Sequence, residues 1–256
     1  MKDTRTLGNK PLVEAIFEVR WELKTQSNGL PNDPLYDVMV GDVRRAVQEI
    51  FPNHVRLQTV VPGIAIPYQV QHQFRAGPEG WPVMQLGPGV LTVNETAGYL
   101  SGNFIPLCVQ AMNVALKFWA NNSDEAVLVN QVSLRYIDAD VTGPSIFDFL
   151  NKLGLSVRFE PRLFAASKSI TAEPTSMQIN TTFAIPELDA SCALIFTKAK
   201  KEGSEDALIW ETHVAASGTQ CEVFSKSPTD WLEAAHDVAH DVFFAMIKGE
   251  LEEKYK

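Results

Sequence analysis

Along Leu12–Leu23 the chain reads LVEAIFEVRWEL. Val13, Ala15, Phe17, Val19, Trp21 and Leu23 fall at every second position, with Glu14, Glu18, Arg20 and Glu22 between them. A period of two sets the first group on one side of a pleated strand and the charges on the other. Only Ile16 departs from it. A one-residue slip would turn the charges into the core, so the pattern predicts register as well as element type.

The turn-rich TQSNGLPNDP follows. Asp33 with Pro34 behind it predicts a helix start, and the stripe Leu35, Val38, Met39, Val43, Ala46, Val47 and Ile50 carries that helix to Ile50, before Pro52. Strands are then expected near Val55–Val61, Tyr68–Arg75, Pro82–Leu86 and Val90–Glu95, separated by turns at Pro62–Gly63, Gly77–Gly80 and Gly87–Gly89. Asn103 predicts the cap of a second helix to Asn121, with Pro106 in its first turn. The pattern then begins again. Ala126–Asp140 alternates Leu128, Val132, Leu134 and Tyr136 against Gln131, Ser133 and Arg135. Ser145 or Thr142 opens a short helix stopped by Gly154, and strands are expected near Ser156–Glu160, Ser176–Ile185, Cys192–Lys198 and Ala207–Ala215. Ser227, Pro228 and Asp230 open a last helix running to Glu252.

This order divides the chain into two α+β halves, 1–122 and 123–256, packed as one continuous globular unit. Each half reads strand, helix, up to four strands, helix, with no strong residue identity between them. A duplicated unit of this kind implies one curved antiparallel sheet with helices on one face, an arrangement similar to the TATA-box-binding protein. The likeness concerns fold and carries no function. The uncovered face would present Glu14, Glu18, Arg20, Gln131, Arg135 and His213 among many amides, and these are the candidate binding residues. DNA-binding saddles instead present basic residues and apolar wedges.

Charge points the same way. The 256 residues hold 22 Lys and Arg against 31 Asp and Glu, a formal charge of −9, which disfavours contact with a phosphate backbone. A hydrophobic content of 45% with no long apolar run predicts no membrane partner, and a polar start without a secretory core predicts a cytoplasmic protein. Cys108, Cys192 and Cys221 are far apart and are expected to be buried free thiols.

Chemistry is sparse. His236 and His240 lie four apart on one helical face, a zinc-binding spacing, but Asp237 stands where the usual motif has Glu. His240 and Asp241 fit a solvated helix edge equally well. Glu14 and Glu18 share a strand face as paired surface charges. No phosphate loop, nucleophile elbow or cofactor motif is found, and no cofactor is expected.

Three segments carry a resemblance: Pro11–Arg20, Val132–Asp138 with its LRYI, and Ala235-His236 followed by Phe243-Phe244. In this order they resemble the opening, central strand and closing helix of an uncharacterised prokaryotic family described as "sporadically distributed". The family has no assigned activity to lend, so no residue inherits a role. Its patchy distribution implies accessory genes of defence or toxin–antitoxin loci. The expectation is a non-enzymatic module that binds a protein partner or forms a homodimer. The alternative is a small-ligand binder or enzyme using the polar sheet face.

Overall fold

The computed structural model describes residues 7–27, 29–57, 66–96, 98–165, 169–171, 173–201 and 205–256. It is an α+β protein built on one nine-stranded sheet whose neighbouring strands all run antiparallel. The predicted first strand forms as β1 (Leu12–Trp21), alternating as read, with Ala15, Phe17, Val19 and Trp21 buried. A two-residue ribbon, β2 (Lys24–Thr25) and β3 (Pro31–Asn32), leads into helix α1 (Tyr36–Val47). Strands β4 (Asn53–Arg56), β5 (His72–Arg75), β6 (Val83–Gly87) and β7 (Val90–Glu95) follow, then the long helix α2 (Ser101–Asn122).

The second half supplies β8 (Val129–Val141), the short helices α3 (Ile146–Lys152) and α4 (Pro161–Ala165), and strands β9 (Gln178–Ile185), β10 (Ala190–Lys200) and β11 (Asp206–Ser217). Helices α5 (Cys221–Lys226), α6 (Pro228–Ile247) and α7 (Glu250–Tyr255) close it. The sheet order is β4-β5-β6-β7-β1-β8-β11-β10-β9. β1 and β8 therefore stand side by side in the middle. Strands from the first half lie to one side of this pair, those from the second half to the other.

Register shows which residues share a face, because directly paired residues point the same way. Phe17 faces Val93 and Leu134, and Leu134 in turn faces Val214. These four belong to one core cluster with Met39 and Val43 of α1, Met112 and Ala115 of α2, Phe224 of α5 and Trp231 of α6. A second cluster joins Phe149 of α3 and Tyr255 of α7 to Trp210 and Phe196 of the same sheet face. Burial of these helices thus falls on one side of the sheet. Cys108, Cys192 and Cys221 are free and buried, as expected.

Several elements depart from the sequence reading. Asp33 does not begin the first helix, which starts at Tyr36 with Leu35 at its cap position. One carboxylate oxygen accepts from Trp21 Nε1 at 3.0 Å and the Gly89 amide at 3.1 Å, tying β1 to the β6–β7 turn, while the other accepts from the Leu35 amide at 3.3 Å just ahead of the helix. The strand expected from Tyr68 begins only at His72. The Gln69 carbonyl lies so close to Gly87 that a Cβ there would meet it at 2.1 Å, and the pairing here is irregular, with the Tyr68 amide on the Pro88 carbonyl and the Gln71 amide on the Leu86 carbonyl. The end of the Val55–Val61 strand and the Pro62–Gly63 turn lie outside the described residues. Helix α2 begins two residues before Asn103, with the Leu100 carbonyl accepting the first amides, and Pro106 falls in its second turn.

Ser156–Glu160 is not a strand. Phe159 packs instead on Phe147 and Phe164, with ring centroids 5.9 and 6.2 Å away, and Pro161 opens α4. Among the described residues the second half accordingly has three strands after its first helix. Ser145 caps α3 as read, its Oγ accepting from the Asp148 amide. The last helix is broken at Gly249, whose φ of +113° turns the chain into α7.

Candidate functional site

Between the sheet and α6, at the start of α2, lies a cavity of about 130 Å³. Its floor comes from neighbouring strands: Tyr136 and Asp138 of β8, and Thr212 of β11, which pairs directly with Tyr136. One wall is α6, with His236, Ala239, His240, Phe243 and Phe244. The opposite wall is Tyr99–Ser101, and Leu7, Lys10 and Leu12 complete the lining. Helical spacing explains the α6 face, since positions 236, 239, 240, 243 and 244 recur at three and four residues.

A row of hydrogen-bonding side chains crosses the cavity. The Tyr99 hydroxyl donates to the Tyr136 hydroxyl at 3.2 Å, and the Tyr136 hydroxyl lies 2.9 Å from His236 Nδ1. Burial holds the Tyr136 phenol well above its ordinary pKa, with the neighbouring Tyr99 adding to the effect. Burial also raises Tyr99. Lys10 Nζ donates to the Tyr99 carbonyl oxygen.

Asp138 is the chemically unusual member. It is 2% exposed, lines the cavity, and receives no hydrogen bond from any described residue. Burial alone pushes its carboxyl up to about 8. The fully buried Thr212 hydroxyl beside it also lacks a partner among the described residues. An acid under a helix layer without a counter-charge is expensive, because charge is poorly solvated there. Such groups concentrate where a protein acts on or holds something.

The six residues expected on the polar face do share one face, opposite the cavity. Glu14 Oε1 accepts from Asn94 Nδ2 at 2.8 Å. Arg20 Nε lies 2.8 Å from Glu18 Oε1, and its guanidinium sits 5.5 Å from the Tyr68 ring centre. Gln131 is directly across from Arg20. Arg135 pairs with Glu211 at 3.6 Å and faces His213 across the β8–β11 ladder. Burial, then the Arg135 charge, lowers the His213 pKa. These groups form separate local pairs, and Glu14, Arg135 and His213 do not line the cavity.

His236 and His240 meet as their spacing requires, with ring centres 5.9 Å apart. His240 is turned inward against Phe244, so it is not the solvated edge that the sequence also allowed. Among the described residues, no three His, Cys, Asp or Glu side chains gather in a metal-holding group. Sequence reasoning missed Tyr99, Asp138 and Thr212 as a site. The signal for Asp138 was present: it continues the inward series Val132, Leu134, Tyr136, an acid in an apolar phase.

No family model matches this sequence, and no curated protein is similar to it. Among the described residues, no helix is long and apolar enough to cross a membrane.

Proposed function

We propose that this protein binds a small molecule in the cavity between β8, β11 and α6. The observation that carries the reading is Asp138, a buried acid with no partner among the described residues, on the floor of a half-open space of a ligand's size. The segments that bear the family resemblance converge there: Leu12, Tyr136, Asp138, His236, Phe243 and Phe244 all line it. A thermal-shift screen of compounds of one ring or less, on wild type and on Ala239→Leu, tests the reading. Ligands should raise the melting temperature of wild type and lose that effect in the variant, where the larger side chain fills the space. A screen in which no compound separates the two proteins would end it.

A protein partner is the second reading, favoured by a different observation. β9 carries eight residues without a charge or a proline, and among the described residues a strand pairs with only one of its edges, through β10. Such an edge readily accepts another strand. A second copy or the product of an adjacent defence or toxin–antitoxin gene is the occupant on this reading. Thr182→Lys should weaken the association in light scattering; a wild type that stays monomeric and captures no neighbour product would remove it.

We also read the architecture as a duplication of the TATA-binding-protein kind, with a curved sheet. Its support is the mirrored strand order on the two sides of β1 and β8. A function on DNA does not follow, given the acidic chain.

A further inference from the structure

The cavity floor is chemically unfinished. Asp138 and Thr212 offer acceptor oxygens that no described residue uses. The nearest lysine on the wall, Lys10, donates to the Tyr99 carbonyl. Around these oxygens the wall is aromatic and aliphatic, with Phe243, Phe244 and Leu12. An ammonium group suits such a place. It donates up to three hydrogen bonds, and its charge is favoured both by a carboxylate and by ring faces. Volume limits the rest of the ligand: a dry cavity of roughly 150 Å³ takes a benzene ring, and this one measures about 130 Å³.

We propose that the cavity takes a small primary amine with an apolar body of one ring or less, its ammonium held by Asp138 and Thr212 and its body by Phe243, Phe244 and Leu12. This rests on the ligand-binding reading above and adds the class of ligand. A proton balance follows from it. Unliganded Asp138 is mostly protonated at neutral pH, because burial holds its carboxyl near 8. The amine arrives already protonated, so forming the ion pair breaks the Asp138 O–H bond and passes that proton to the buffer. The other titratable groups on the lining are Tyr136 from the same strand, Tyr99 and Lys10 from the opposite wall, and His236 and His240 from α6. The Asp138→Asn variant isolates the acid from all five.

The experiment is calorimetry of the full chain with benzylamine and benzyl alcohol, in phosphate and in Bis-Tris, a tertiary amine. Benzylamine should bind about tenfold or more tighter than the alcohol. Near pH 6.5 its heat should differ between buffers by about one released proton, and that release should shrink by about half as pH reaches about 8, where the amine is still protonated. In Asp138→Asn the amine should lose its buffer dependence and about tenfold or more in affinity relative to the alcohol. Equal binding of amine and alcohol, or proton release unchanged in Asp138→Asn, would overturn the amine proposal and leave the cavity reading standing. If benzylamine, benzyl alcohol and toluene all fail to bind or to raise the melting temperature, both fall.

Discussion

Two ionisable residues three positions apart on β8 live in opposite circumstances. Arg135 lies on the open side of the sheet, partly hydrated, with Glu211 at 3.6 Å and His213 opposite. Asp138 lies beneath α6, almost wholly buried and without a counter-charge among the described residues. On the open side, charge is cheap and its pairing adds little, since solvent competes for every contact. Under the helices, one acid changes the stability of the whole protein. The comparison teaches that the crowded polar face is where charge is easiest to carry, and the quiet apolar face is where a single polar group has consequence.

The sharpest way to break this contrast is Asp138→Asn. Ionisation of Asp138 is disfavoured in the fold and free in the unfolded chain, so its penalty is absent below pH 3.8 and grows until pH reaches about 8. Urea unfolding should find the variant no more stable than wild type near pH 4 and more stable at pH 9, by up to about 6 kcal/mol at roughly 1.4 kcal/mol per pH unit. A difference that does not grow with pH would return Asp138 to the ordinary surface acids. His72 supplies the opposite slope. It is 8% exposed, and burial, with the neighbouring His54 and Arg56, lowers its pKa to about 4. Between pH 6.5 and 4 the unfolded chain takes up the proton first, so stability falls on acidification; His72→Gln should flatten that limb by about 3 kcal/mol.

A smaller effect is expected at Tyr136→Phe, which removes the hydroxyl between Tyr99 and His236. Its cost should be about 1–3 kcal/mol, read as a lower denaturation midpoint with unchanged slope. The smallest belongs to the open face. Arg135→Ala should cost less than about 1 kcal/mol, and the loss should shrink further in salt. A loss at Arg135 as large as that at Tyr136 would erase the distinction between the two faces.

Much of the frame was legible because burial on one side of a sheet writes itself as alternation. β1, β7 and the body of β8 form where the pattern put them, and the six polar-face residues all lie opposite the core. Where the reading failed, a distant contact decided the outcome. Asp33 is claimed by Trp21 and Gly89, and Tyr68–Gln69 is held across Gly87, neither of which local spacing can express. The site was hidden for a related reason. Its floor is made by residues 136, 138 and 212, its walls by 7–12, 99–101 and the 236–244 turns, so five separate stretches contribute one or a few groups each.

The central pairing of β1 with β8 also governs how the chain must be made. Ala15 meets Glu95 on one side and Tyr136 on the other, so the later partner is encoded some 120 residues downstream. At about 5–20 residues per second, a ribosome needs on the order of ten seconds to deliver it. Throughout that interval β1 has an unfilled side, and nascent protein crowded on one messenger is at its most vulnerable to sticking to itself.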